Sequence, residues 1–120
     1  MAILKKDKKV EAEAPKTEKK AVQSSAAMAK RVLIRPMLSE KMSKQEAMGQ
    51  YTFKVTRDAT KIDVKNAVHA LYGKMPAKVN IIHTDGKVVR FGRRTGRRSA
   101  TKKAIVIMPK GQTISIHEGV

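Results

Sequence analysis

Apolar residues begin to recur with a structural period only from about residue 31. Val32-Leu33-Ile34 is a short strand that Pro36 stops, because proline has no N–H to continue a ladder. Ser39 is placed to cap a helix reaching about Met48, with Gly49 just past its end. Over 50–57 the period changes: Tyr51, Phe53 and Val55 alternate with Thr52, Lys54 and Thr56, which predicts a half-buried strand. Thr60 and Asp63 have the spacing of a capping box, and Val64, Ala67, Val68 and Leu71 then fall at i, i+3, i+4 and i+7 of a second helix closed by Gly73. A third strand is expected from about Lys78 to Asp85 and a fourth from Ala104 to Met108, before Pro109. Ile114 and Ile116 mark a weak edge strand near the end. The order strand, helix, strand, helix, strand, strand predicts an α+β fold: a small, mainly antiparallel sheet with two helices on one face. There is no internal repeat.

Two stretches break this pattern. Residues 1–30 hold eight Lys, four acids and many Ala, with no aromatic residue and no sustained apolar period. They read as a flexible basic tail capable of transient helix, the alternative being an arm that orders on RNA. The α+β domain is then 31–120. The second stretch, 86–103, interrupts two strands that should pair, and is expected to be a long hairpin loop. A tight turn at Asp85-Gly86, pairing Asn80–Thr84 with Lys87–Phe91, is the other local possibility and would move only the tip.

Charge changes the picture more than any other property. The chain carries 27 Lys and Arg against 10 Asp and Glu, a formal +17. The domain alone has 19 basic and six acidic residues, so the excess belongs to the fold and not to the tail. Such self-repulsion makes sense beside a polyanion. Nucleic acid fits, since phosphate neutralisation releases counterions and supplies affinity. An anionic membrane surface would need an amphipathic basic helix with a bulky apolar face, and the sequence has no good one. The absence of Cys excludes disulfides and thiolate chemistry. The N-terminus lacks the apolar region of a secretory signal, and no apolar run approaches the roughly 18 residues of a membrane span, so a cytoplasmic protein without membrane insertion is expected. With four aromatic residues and no Trp, the core must be largely aliphatic.

The block 86–103 carries Lys87, Arg90, Arg93, Arg94, Arg97, Arg98, Lys102 and Lys103, and no acid. Arg outnumbers Lys here, whereas 1–30 has no Arg. Its planar five-donor fork suits phosphates and stacks on bases. Gly86, Gly92 and Gly96 let backbone approach a surface closely. A solvated loop is the bland reading of a charge run, but an 18-residue, Gly-punctuated, acid-free block favours RNA contact.

Catalytic and metal chemistry find no support. The glycines do not form a P-loop, because Gly96 is followed by Arg97 and Arg98. His69, His83 and His117 sit on separate elements without ligand spacing. Glu40 and Glu46 lie six apart on one short helix, a poor acid/base pair, and Ser39 serves better as a cap than as a nucleophile for His69. The seven Met read as gap-fillers or initiator. No enzyme, cofactor or metal is expected.

Several short motifs run in a familiar order: Ile34-Arg35-Pro36, Leu38-Ser39-Glu40-Lys41, Tyr51-Thr52-Phe53-Lys54-Val55, Asp58-Ala59-Thr60-Lys61, Val79-Asn80, Gly92-Arg93-Arg94-Thr95-Gly96-Arg97-Arg98-Ser99 and Lys102-Lys103-Ala104. Each is weak alone. As an ordered set over about 31–117, they resemble the bacterial large-subunit ribosomal protein 23 family. The resemblance implies a structural constituent of the large subunit that binds 23S rRNA near the nascent-chain tunnel exit, beside neighbouring ribosomal proteins. It also implies that the Gly/Arg block is the loop reaching into the tunnel wall. The Ser-Glu-Lys patch would be the docking point for trigger factor, with Glu40 as its carboxylate, near the contact of the signal recognition particle. Residues 1–30 have no counterpart in that pattern.

Two other classes compete. A DNA-architectural protein with a basic β-arm usually carries an apolar wedge, for which only Phe91 is available. An RNA-modifying enzyme would need a convergent set of titratable groups around a base-sized pocket.

Overall fold

The computed structural model describes residues 25–116, which open in a helix, α1, over 25–32. Residues 25–30, expected from the sequence to belong to the tail, therefore lie in regular structure, and Ala29 is buried in the core. A third helix thus joins the two that the pattern predicts. Periodicity misses it because its inward contacts come from small Ala29 and from Val32 at the core's margin. Residues 1–24 of the predicted tail, and His117, fall outside the described residues.

Strand β1, Leu33–Pro36, leads to Ser39, whose hydroxyl accepts from Met42 N at 3.3 Å and starts α2, Glu40–Ala47. Gly49, at φ 76°, turns the chain into β2, Gln50–Val55. Tyr51, Phe53 and Val55 are buried, as their alternation predicts. Thr52, on the opposite face, is buried too, and its Oγ1 finds no hydrogen-bond partner among the described residues. The capping box forms: Thr60 Oγ1 accepts from Asp63 N, and Asp63 Oδ2 accepts from Thr60 N. It opens α3, Lys61–Tyr72, which Gly73 closes in the left-handed region.

β3 spans Lys78–Thr84, β4 Val88–Phe91, β5 Arg94–Arg97 and β6 Thr101–Ile107. The main sheet has the order β1-β2-β6-β3, antiparallel throughout, while β4 and β5 form a separate two-stranded sheet. β2 and β3 both border β6, so the connection through α3 skips over one strand. Val64, Ala67 and Val68 of α3 join Tyr51, Phe53, Val55, Val79, Ala104 and Val106 of the sheet in one core. This is the α+β architecture that the sequence pattern predicts.

Two local expectations change. Ile114 and Ile116 are buried but form no strand. Ile114 N donates to the Tyr51 hydroxyl at 3.0 Å and Lys74 Nζ donates to the Thr113 carbonyl, so side chains satisfy this segment in place of a ladder. The tight Asp85-Gly86 hairpin does not form either. Asn80–Thr84 pair with Thr101–Ile105 of β6, and the turn lies further out.

Candidate nucleic-acid interface

The β3–β6 ribbon continues outward as an arm. Beyond the Thr84–Thr101 pair, Arg98 N donates to the Lys87 carbonyl at 2.9 Å, and β4 and β5 then pair from Val88–Arg97 to Phe91–Arg94. Gly92 and Arg93 form the two-residue tip. Gly92 has φ 61° and is the only tip residue with positive φ, the pattern of a type II′ hairpin turn. Arg90 Nε donates to the Gly92 carbonyl at 2.8 Å, tying the tip down.

At the neck, a Cβ on Gly86 would lie 1.4 Å from the Arg98 carbonyl oxygen, so the two chains pass where only glycine fits. Asp85, beside it, accepts a 3.2 Å contact from His83 Nε2 when that ring is protonated or holds its proton there.

Directly opposed residues share a face. Arg90 and Arg97 therefore lie on one side of the arm, with Val88 and Thr95. Arg94 and Phe91 lie on the other, with Val89 and Gly96. Arg93 sits at the tip, while Lys87 and Arg98 flank the neck. All six of these cations are exposed. The arm can therefore present guanidinium groups on both faces and its end to a surrounding polyanion. Phe91 is 91% exposed beside them. A phenyl ring so placed among Arg side chains offers a stacking surface to an unpaired base. The sequence marks Phe91 only as a possible wedge for DNA. Its place one residue before the tip glycine is the signal that assigns it to the arm.

The other two predicted cations separate from this group. Lys102 and Lys103 belong to β6 and point to opposite faces of the main sheet. Lys102 Nζ donates to the Arg57 carbonyl at 2.9 Å and so ties β6 to the turn after β2. Lys103 stands opposite Lys54 and Ile82. Glu40 is the first residue of α2; its side chain is 91% exposed and 4.0 Å from Lys44 Nζ.

The groups whose acidity shifts lie elsewhere. Hydrogen bonds from the Thr60 side chain and backbone hold Asp63 below the ordinary carboxylate value, and burial raises Tyr72. A cavity of about 340 Å³ runs between α1 and α3, lined by Met28, Ala29, Val32, Ala67 and Ala70 among others. Its one carboxylate, Asp63, is engaged in the capping box. Among the described residues no group of His, Asp and Glu is arranged to hold a metal, and no helix is long and apolar enough to cross a membrane.

Comparison with known proteins agrees with these features. The family model described as ribosomal protein L23 matches residues 31–116. The large ribosomal subunit protein uL23 of Thermus thermophilus is 45% identical over 89 residues, covering 74% of this chain and 93% of the relative. That of Symbiobacterium thermophilum is 37% identical over 92 residues, covering 77% and 98%. That of Treponema denticola is 40% identical over 88 residues, covering 73% and 94%. The match spans α2, the whole of the main sheet and the basic arm, and the chain belongs to the ribosomal protein L23 family, structural components of the large ribosomal subunit rather than enzymes.

Proposed function

We propose that this chain binds large-subunit rRNA through the β4–β5 arm, and that the arm anchors the domain at the nascent-chain tunnel exit beside neighbouring ribosomal proteins. The observation that carries this reading is the arm itself: an acid-free hairpin whose six cations are all exposed. Its large apolar side chains Val88 and Phe91 are exposed and not packed on the domain, and it has no internal ion pair, so an external polyanion is what its composition suits. Lys102 contributes by fixing the base of the arm, whereas Lys103 reaches a different surface. The test replaces Arg93, Arg94, Arg97 and Arg98 with Ala. Affinity for large-subunit rRNA should fall, and the slope of log K against log salt should shrink by about one for each phosphate no longer neutralised. An unchanged slope in a folded variant overturns the reading.

A second role rests on Glu40. The family resemblance implies that the Ser39-Glu40-Lys41 patch docks trigger factor, near the signal recognition particle. Glu40 suits docking because its carboxylate projects into solvent at the start of α2, next to Leu38, which is 54% exposed. Glu40→Ala and Glu40→Gln should leave rRNA affinity intact and weaken trigger factor binding to the ribosome at least tenfold, about 1.4 kcal/mol. Equal chaperone affinity for wild-type and variant ribosomes would reduce Glu40 to a helix-end residue that favours the N-terminal dipole.

A further inference from the structure

The outer face of the main sheet bears a second cationic feature, made by register rather than by sequence proximity. Arg35 pairs with Lys54, and Lys54 pairs with Lys103, so three basic side chains from β1, β2 and β6 stand in one row across adjacent strands. Neighbouring strands lie about 4.8 Å apart. Like charges directly opposed across strands are destabilising, and this row contains two such pairs in succession.

Among the described residues no ion pair relieves the repulsion. No strand of the main sheet contains an acid, and none of the three cations has an ion pair among the described residues. Arg35 joins the row only because of an irregularity. Leu33 opposes Val55 and faces the core, and period-two alternation would send Arg35 inward after it. The register shift between them turns Arg35 outward to meet Lys54. Bulges commonly re-aim a side chain in this way and tend to lie beside functional sites. The rest of the face is not simply a polar, solvated surface. Ile82, opposite Lys103, is 41% exposed, and Ile105 is only half-buried.

We infer that the row Arg35–Lys54–Lys103 is a phosphate-binding track that seats a second segment of rRNA on this face of the sheet, separately from the arm. The inference rests on the chain being an rRNA-bound protein. A row of point charges and one guanidinium beside exposed aliphatic groups fits a sugar–phosphate backbone, with no need to read bases. An acidic protein partner would satisfy the charges as well, but the acid-free arm beside this face favours a polyanion as the shared partner.

The test uses the full chain carrying Arg35→Gln, Lys54→Gln and Lys103→Gln, the arm variant described above, and in vitro transcribed large-subunit rRNA. The row variant should melt at the wild-type temperature or higher, because repulsion is removed. Its rRNA affinity should fall at least tenfold at fixed moderate salt, and its salt slope should shrink by about two to three. The backbone positions it stops protecting should differ from those that the arm variant stops protecting. A wild-type slope in the row variant, with a reduced slope in the arm variant, overturns the track and leaves the arm standing. Wild-type slopes in both overturn both. A wild-type slope and footprint, with loss of a neighbouring protein from assembled particles, assigns the face to a protein and overturns the track. Should the triple variant fail to melt cooperatively, Lys54→Gln and Lys103→Gln made singly must each reduce the slope by about one, and no reduction in either overturns it.

Discussion

A methyl group on Gly86 would collide with backbone, not with the end of a flexible side chain that could swing away. Gly86→Ala should therefore part the neck of the arm. Amide exchange in β4 and β5 should speed up while exchange in β2 and β6 stays slow, and rRNA affinity should drop as the arm loses its order. Sequence shows the glycine but not its reason, because the close approach arises between residues 12 apart that meet only once β3 and β6 have paired. Thr52 makes the opposite case. Its alternation marks it as an outward, solvated position, yet it is 3% exposed and its hydroxyl has no partner among the described residues. A buried polar group without a partner costs about 1–3 kcal/mol. Thr52→Val, which keeps the shape and removes the hydroxyl, should raise the melting temperature by roughly 4–8 °C per kcal/mol recovered. Phe91, almost fully exposed, contributes nothing to the core. Phe91→Ala should leave the melting temperature unchanged and lower rRNA affinity without altering the salt slope, which separates stacking from charge.

Helix α3 is the most legible element in the sequence, because its start, apolar stripe and end are all local signals. Its N-terminal box also gives it a pH dependence. Asp63 is held below its ordinary value of 3.8 by the Thr60 hydrogen bonds. A carboxylate depressed on folding stabilises the fold fully above its unfolded value and loses that effect as pH falls through the folded one. Acid titration should thus erode α3 from its N-terminus below about pH 4, and Asp63→Asn should remove this part of the acid limb. Thr60→Ala should cost about 1 kcal/mol at neutral pH, measured by denaturant midpoint. The stripe is less uniform than its spacing indicates. Val68 is wholly buried but Leu71 only partly, so Leu71→Ala should fall near the lower end of the roughly 2–5 kcal/mol typical of such truncations. α1 and the C-terminal segment are less legible for a shared reason. Both are secured by a few tertiary hydrogen bonds, from Thr56 N and Oγ1 to the carbonyls at the end of α1, from Ile114 N to the Tyr51 hydroxyl and from Lys74 Nζ to the Thr113 carbonyl, which leave no periodic trace.

For the whole molecule, the charge excess and the basic block are legible from composition, and they identify the arm. How the cations divide is not. Six share the hairpin, Lys102 braces the base, and Lys103 joins Arg35 and Lys54, a grouping that depends on strand order and on one bulge. Strand order has a further consequence. β6, encoded last among the strands, occupies an interior position with β2 on one side and β3 on the other. During synthesis, both partners wait with open edges until residues 101–107 have left the ribosome. Before then β2 has only short β1 to pair with, and the arm has been made before the strand that closes its base. Partly made chains therefore display apolar strand edges, a state prone to association. Strand order thus makes completion of the main sheet a late event: each new copy stays vulnerable until β6 has emerged, and a chain truncated before that strand keeps only the β1–β2 and β4–β5 pairs, with β3 unpaired.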